Sequence, residues 1–247
     1  MLPFFRKIRY RLAKDNQFLK YSRYAIGEIV LVVIGILIAL YINDWNKHRK
    51  DGIKKMVYKK ALIEDLRKDT AQLIGQIRFT AEAIKFHQGF VKMMEKRDVT
   101  FDTIFRLYTN HDHGQMGLKQ PNKSTFESLL STGDIELFSD KEIEAMMLFY
   151  DKIELNYFLI GDRYGYAYEI HKELTEKYGF LWKVNKDNLV YETLTKDMNQ
   201  KDFVRLFDLS EYRFLDAVSL SNRLSEQLLK DTNNLLSMLA EEVIDSN

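Results

Sequence analysis

Apolar residues run from Ile29 to Ile42 with no polar break apart from the Tyr41 hydroxyl, and elsewhere in the chain they recur in steps of three and four. The two patterns predict different structures. Residues three and four apart share one face of a helix, so the periodic stretches predict amphipathic helices that bury one side. The unbroken run is apolar all round, which suits lipid. Residues 25–42 read AIGEIVLVVIGILIALYI, with Glu28 as the only charge. Eighteen helical residues span roughly 27 Å, close to the hydrocarbon thickness of a bilayer. Tyr24 precedes the run, and Tyr41 and Trp45 close it, as aromatic residues do at the two interfaces. Ala39-Leu40-Tyr41 does not fit a small-x-small cleavage site, so the run reads as an uncleaved transmembrane helix over residues 25–43.

Three amphipathic stripes follow. The first, from Met56 to Met94, uses Ile63, Leu66, Leu73, Ile77, Ile84 and Val91, with Thr70, Thr80 and His87 at intervening positions and Lys59 as an outlier. The second is Met146, Tyr150, Ile153, Tyr157, Ile160, Tyr164, Ala167, His171, Leu174 and Tyr178, introduced by the helix-start signal Ser139 and Glu142. The third uses Phe214, Val218, Leu228, Leu235 and Leu239, with Ser221, Ser225 and Thr232 between them. Phe101 to Tyr108 predicts a short helix, residues 110–123 a loop, and Ser124 with Glu127 a second short helix ending near Gly133. Residues 185–205 predict short helices joining the second and third stripes. Ile135-Glu136-Leu137 alternates, but is too brief for a strand. The first long helix is expected to run on from the anchor, with Gly52 as the place for a hinge. The fold class is therefore all-α: a basic amphipathic leader (1–24), a transmembrane helix (25–43) and a long-helix bundle outside the membrane (44–247).

Charge sharpens the membrane reading. The net charge is +1, but residues 1–60 hold 14 Lys+Arg against 4 Asp+Glu, and the rest of the chain holds 23 against 32. Basic charge gathers around the apolar run, where anionic headgroups attract it. The acidic remainder speaks against nucleic-acid binding. Phe4, Phe5, Ile8 and Leu12 share one face of the leader among five basic residues, the pattern of a helix lying in the membrane surface. Lys+Arg number seven on each side of the run, residues 6–24 and 43–60, so the positive-inside rule ties. The basic, signal-like start favours an N-terminus inside and the large domain outside.

Composition removes whole classes of chemistry. There is no cysteine, hence no disulfide, thiolate metal site or cysteine nucleophile. No phosphate loop, dinucleotide fingerprint, nucleophile elbow or zinc-protease motif occurs, and nothing calls for a cofactor. His111 and His113 flank Asp112 in the loop without a further ligand. His87 and His171 lie on different stripes and can face each other in a bundle, as core histidines or as a metal or pH-sensing pair. Tyr150, Tyr157 and Tyr164 recur every seven residues and, with His171, make a seam that either fills an ordinary core or lines a ligand pocket or subunit contact. In the anchor, Gly35 and Ala39 form a small-xxx-small pair that lets helices approach closely, and Glu28 lies seven residues before Gly35 on nearly the same face. An intramembrane acid suggests an oligomer or ion path; one so near the end of the run also reaches headgroups.

The segment from Tyr24 to Asn46, YAIGEIVLVVIGILIALYINDWN, and the FFRKIR start at Phe4 to Arg9, resemble an uncharacterised bacterial family of single-span membrane proteins. The stretch from Ser124 to Asp151 resembles that family's T-x-x-x-L-x-S-x-G segment and the helix after it. Tyr41 stands where the family pattern expects glutamine. The resemblance implies an uncleaved inner-membrane anchor and an external helical domain, and it brings no catalytic residues. The expectation is a non-enzymatic structural or accessory subunit that meets the lipid bilayer, forms a homo-oligomer and engages another envelope protein. A receptor-like sensor for a small ligand and an ion-conducting oligomer using Glu28 are the alternatives.

Overall fold

The computed structural model of the protein describes residues 17–109, 120–179, 193 and 195–244. The leader face of Phe4, Phe5, Ile8 and Leu12, and the trio His111, Asp112 and His113, lie outside these residues. The described residues are mainly helical, without strands. Among the described residues the α-helices are α1 (Gln17–Met94), α2 (Phe101–Thr109), α3 (Ser124–Thr132), α4 (Asp140–Tyr178) and α5 (Gln200–Ile244). Asp134–Leu137 forms a 3-10 turn, so the brief alternation there is not a strand. Gly52 lies within the hydrogen-bonded run of α1.

The chain divides into two compact units, Met1–Met56 and Val57–Asn247. In the first unit, α1 carries one run long and apolar enough to cross a membrane, and none of that window is buried by the chain. Leu31 is 72% exposed, and Ile29, Val32, Leu37 and Ile42 are likewise open.

The second unit is a bundle in which α4 and α5 lie along each other. Its core has three clusters. Leu62, Leu66 and Leu73 of α1 meet Phe126 and Leu129 of α3, Met146, Phe149, Tyr150 and Ile153 of α4, and Leu228, Leu235 and Leu239 of α5. Ile160, Tyr164 and Ala167 meet Phe214, Ala217 and Val218. Phe90, Ile104, Phe105, Tyr108, Leu174, Tyr178, Phe203, Leu206 and Phe207 close the third, an aromatic cluster with edge-to-face pairs such as Tyr108–Phe203 at 5.1 Å and Tyr178–Phe203 at 5.3 Å. The stripe of α4 is buried as its period predicts, apart from half-buried Tyr157 and His171. The stripe of α5 is buried entire, including its hydroxyl residues Ser221, Ser225 and Thr232. Thr232 sits in an apolar layer because its hydroxyl donates to the Leu228 carbonyl one turn back, at 2.8 Å.

Local signals fix the helix ends. Ser139 accepts from the Glu142 amide, and the Glu142 carboxylate accepts from the Ser139 amide at 2.8 Å, a complete capping box at the start of α4. Gly133 takes φ 74° at the end of α3, where its amide reaches the Leu130 carbonyl; L side chains rarely adopt that backbone. α3 starts at Ser124, as the sequence predicts. Lys123 precedes the helix without a side-chain cap, and the Asn122 side-chain oxygen Oδ1 accepts from the Ser124 amide and hydroxyl at 3.0 and 2.8 Å.

Candidate functional site

The stripe of α1 is buried at Leu66, Leu73, Thr80 and His87 but not at every apolar position. Ile63, Ile77, Ile84 and Val91 are only half-buried, whereas Lys59, Asp65, Asp69, Thr80 and His87 are buried. Lys59 is therefore in register, not an outlier: the deep face of α1 is a ladder of polar groups, each bonded to another helix or to the segment leading into one.

The first rung is Lys59, whose ammonium donates to Glu142 Oε1 at 2.9 Å with the two side chains 1% and 3% exposed. The second is Asp65 and Asp69, one turn apart. Asp65 accepts from the Asn122 side-chain amide at 2.7 Å and the Thr125 hydroxyl at 2.5 Å. Asp69 Oδ1 accepts from the Asn122 backbone amide at 3.0 Å. The third joins α1 to α5: Asn222 donates to the Ile77 carbonyl at 3.0 Å and the Thr80 hydroxyl at 2.9 Å. The fourth places His87 Nδ1 2.7 Å from Glu211 Oε2. His87 also stacks on Phe214, and His171 meets the edge of the same ring, with centroids 5.8 and 5.7 Å away. The two histidines thus flank one phenyl ring. Burial lowers the basicity of His171. Among the described residues, no three His, Cys, Asp or Glu side chains converge to hold a metal.

The tyrosine seam divides. Tyr150 is 3% exposed and stacks on Phe126, with ring centroids 4.0 Å apart. Tyr164 is buried in the middle cluster. Burial pushes both phenols well above their usual range. Tyr157 is half-buried, and burial with the nearby Asp69 charge pushes its hydroxyl up to about 12. It lines a surface cleft of about 540 Å³ with Gln120, Lys123, Ile153, Glu154 and Phe158. A second cleft, of about 480 Å³, lies between α4 and α5. Its walls are mainly apolar, with Leu148, Leu155, Leu235 and Met238 prominent, and the Lys152–Asp231 ion pair crosses it. Leu148 and Leu155 are 69% and 55% exposed on that face of α4.

In the apolar run, Glu28, Gly35 and Ala39 are all exposed, and a Cβ at Gly35 would meet no atom within 4 Å. Arg49 lies over the Trp45 ring, 5.9 Å from its centroid, at the end of the run.

The residues that sequence reasoning passed over are Asp65, Asp69, Asn122 and Glu211. Each looks like an ordinary solvated charge or turn residue by composition. The available signal was positional: Lys59, Asp69, Thr80 and His87 follow the same three-and-four steps as Leu62, Leu66 and Leu73.

No curated protein and no solved structure matches the chain. The family model DUF6090, a family of unknown function, matches residues 28–223, from Glu28 at the start of the apolar run into the middle of α5. With most of its length matched, anchor segment and bundle together, the chain belongs to that family.

Proposed function

We propose that the protein is a non-enzymatic accessory subunit, held in the bacterial inner membrane by residues 25–43, with its leader in the cytoplasm and its bundle in the periplasm. It self-associates and engages another envelope protein. One observation carries the reading: the chain leaves large apolar side chains uncovered in two separate places. The first is the anchor run, where Leu31 and its neighbours have no intrachain cover. Lipid supplies that cover. The second is the cleft between α4 and α5, where Leu148, Leu155 and Met238 stand exposed beside a trough. Contiguous apolar patches of this kind mark protein contacts in water-facing domains. The rungs of the bundle support the same reading, because their polar groups are largely engaged with one another.

Two experiments test it. A reporter active only outside the inner membrane, fused after Asn247, is expected to be active. A signal from a cytoplasmic reporter alone overturns the orientation. The full-length protein in mild detergent is expected to migrate as a complex that Leu148→Lys with Leu155→Lys disrupts while membrane insertion persists. A wild-type monomer without bound protein removes the accessory role.

A receptor-like reading is favoured by the cleft beside Tyr157, which has room for a small ligand. Of the four residues on the tyrosine seam, Tyr157 alone is among its lining residues. A ligand that shifts Tyr157 fluorescence or absorbance in the full chain, and fails to do so in Tyr157→Phe, would favour the sensor over the subunit.

A further inference from the structure

Asn156 lies on the buried side of α4 with Ile153 and Ile160, and it is 5% exposed. Its side-chain nitrogen Nδ2 is out of water and has no hydrogen-bond partner among the described residues. An amide donor left in that state is costly, and native interiors rarely keep one. Leucine would fill a similar volume without the cost, so packing alone gives no reason for an asparagine at this point.

A cavity borders the side chain and supplies the place of a partner. Gln76 of α1 and Ser225 of α5 line it together with Asn156. The space open to the centre of a water molecule is about 10 Å³, about one molecule's worth. It lies where two apolar clusters meet: Leu73 and Leu228 on its wall belong to the cluster around Leu66, and Ile160 belongs to the one around Phe214. No charged side chain lines it, so an ion would find no counter-charge. A purely apolar cavity stays dry, but this wall carries polar side chains from three helices. Gln76 Nε2 donates to the Ser221 hydroxyl at 3.5 Å, which leaves Gln76 Oε1 to accept from another donor. Ser225 is 4% exposed, and its hydroxyl can accept or donate. Tyr157 lines both this cavity and the surface cleft, so one side chain borders the interior site and the solvent-facing one.

We propose that the cavity is a binding site for one ordered water molecule, which accepts from Asn156 Nδ2 and donates to Gln76 Oε1 and the Ser225 hydroxyl. The water joins α1, α4 and α5 in a single layer of the bundle. A satisfied polar layer inside an apolar core favours one register of the helices over slid alternatives, which is what the asparagine contributes. The site is independent of anchoring, of any partner protein and of any ligand in the surface cleft.

The test uses the full-length protein in detergent. A density map that shows ordered water elsewhere in the bundle is expected to hold one peak within about 3 Å of Asn156 Nδ2. Ser225→Val fills the cavity with methyl groups, and serine and valine have similar helix propensity, so the backbone term is small. The substitution expels the water and strands the Asn156 amide, and Tm is expected to fall by roughly 3–10 °C. Adding Asn156→Leu to Ser225→Val removes the stranded amide and is expected to recover most of the loss. A dry cavity gives the opposite sign: Ser225→Val then fills a void and raises Tm, which overturns the proposal. A map with ordered water elsewhere and no peak at Asn156 overturns it too, as does a double variant no more stable than Ser225→Val alone.

Discussion

Lys59 and Glu142 meet at 2.9 Å, almost wholly out of water, and the same glutamate closes the capping box of α4 through Ser139. One carboxylate therefore fixes both the start of α4 and its placement against α1. A bond of this kind sets the register between two helices that apolar side chains alone would allow to slide.

Glu142→Gln keeps the capping box, since glutamine serves at that position, but leaves the Lys59 ammonium buried without its counter-charge. The expected cost is about 3–5 kcal/mol in urea unfolding of the full chain. Lys59→Met with Glu142→Gln is expected to recover most of that loss, because no charge remains buried. A double variant as unstable as the single one would place the effect elsewhere.

The buried phenols give the bundle an alkaline limit. A phenol whose folded pKa lies above its unfolded value near 10 keeps its proton in the native state and loses it on unfolding. Its contribution is present below pH 10 and falls as pH rises toward the folded value, about 12 for Tyr157. Stability is expected to decline between pH 10 and 12, and Tyr157→Phe to flatten part of that decline. Unfolding midpoints measured across this range check it; a slope identical in wild type and variant rules Tyr157 out.

At Gly133, the left-handed backbone ends α3 and turns the chain toward α4. Nothing crowds a Cβ there, so Gly133→Ala isolates the backbone term. The expected loss is about 1 kcal/mol, read as a lower denaturation midpoint with unchanged slope. A neutral substitution would show that the turn relaxes to another conformation.

Self-association through the anchor is testable because a Cβ at Gly35 meets open space within the chain. Gly35→Leu and Ala39→Leu are expected to weaken crosslinking of the full-length protein in membranes by holding helices apart, with insertion retained. Leu37→Ala, on another face, is the control. Glu28→Gln separates a carboxylate in the contact, which weakens association, from one that seeks headgroups, which leaves it intact. Equal crosslinking throughout assigns any oligomer to the bundle.

The sequence by itself determined the helices and the long apolar run. Both are written in local pattern: the apolar run in composition, the stripes of α4 and α5 in steps of three and four, the start of α4 in Ser139 and Glu142, the end of α3 in Gly133. These signals act between residues a few positions apart, so no fold is needed to read them. On α1 the same reasoning found the helix and only part of its buried face. It placed Leu66, Leu73, Thr80 and His87 correctly, but it also followed Ile63, Ile77 and Ile84 and left out Lys59, Asp65 and Asp69, which the bundle buries. A buried charge is tolerated only where a distant group meets it, and those groups, Glu142, Asn122, Thr125 and Glu211, stand 53 to 124 residues away for the bonds described. Their pairing depends on the rotation and sliding of whole helices against each other. That register is settled by the packing of the entire core, and so only the tertiary structure decided which polar residues of α1 are surface and which form its interior ladder.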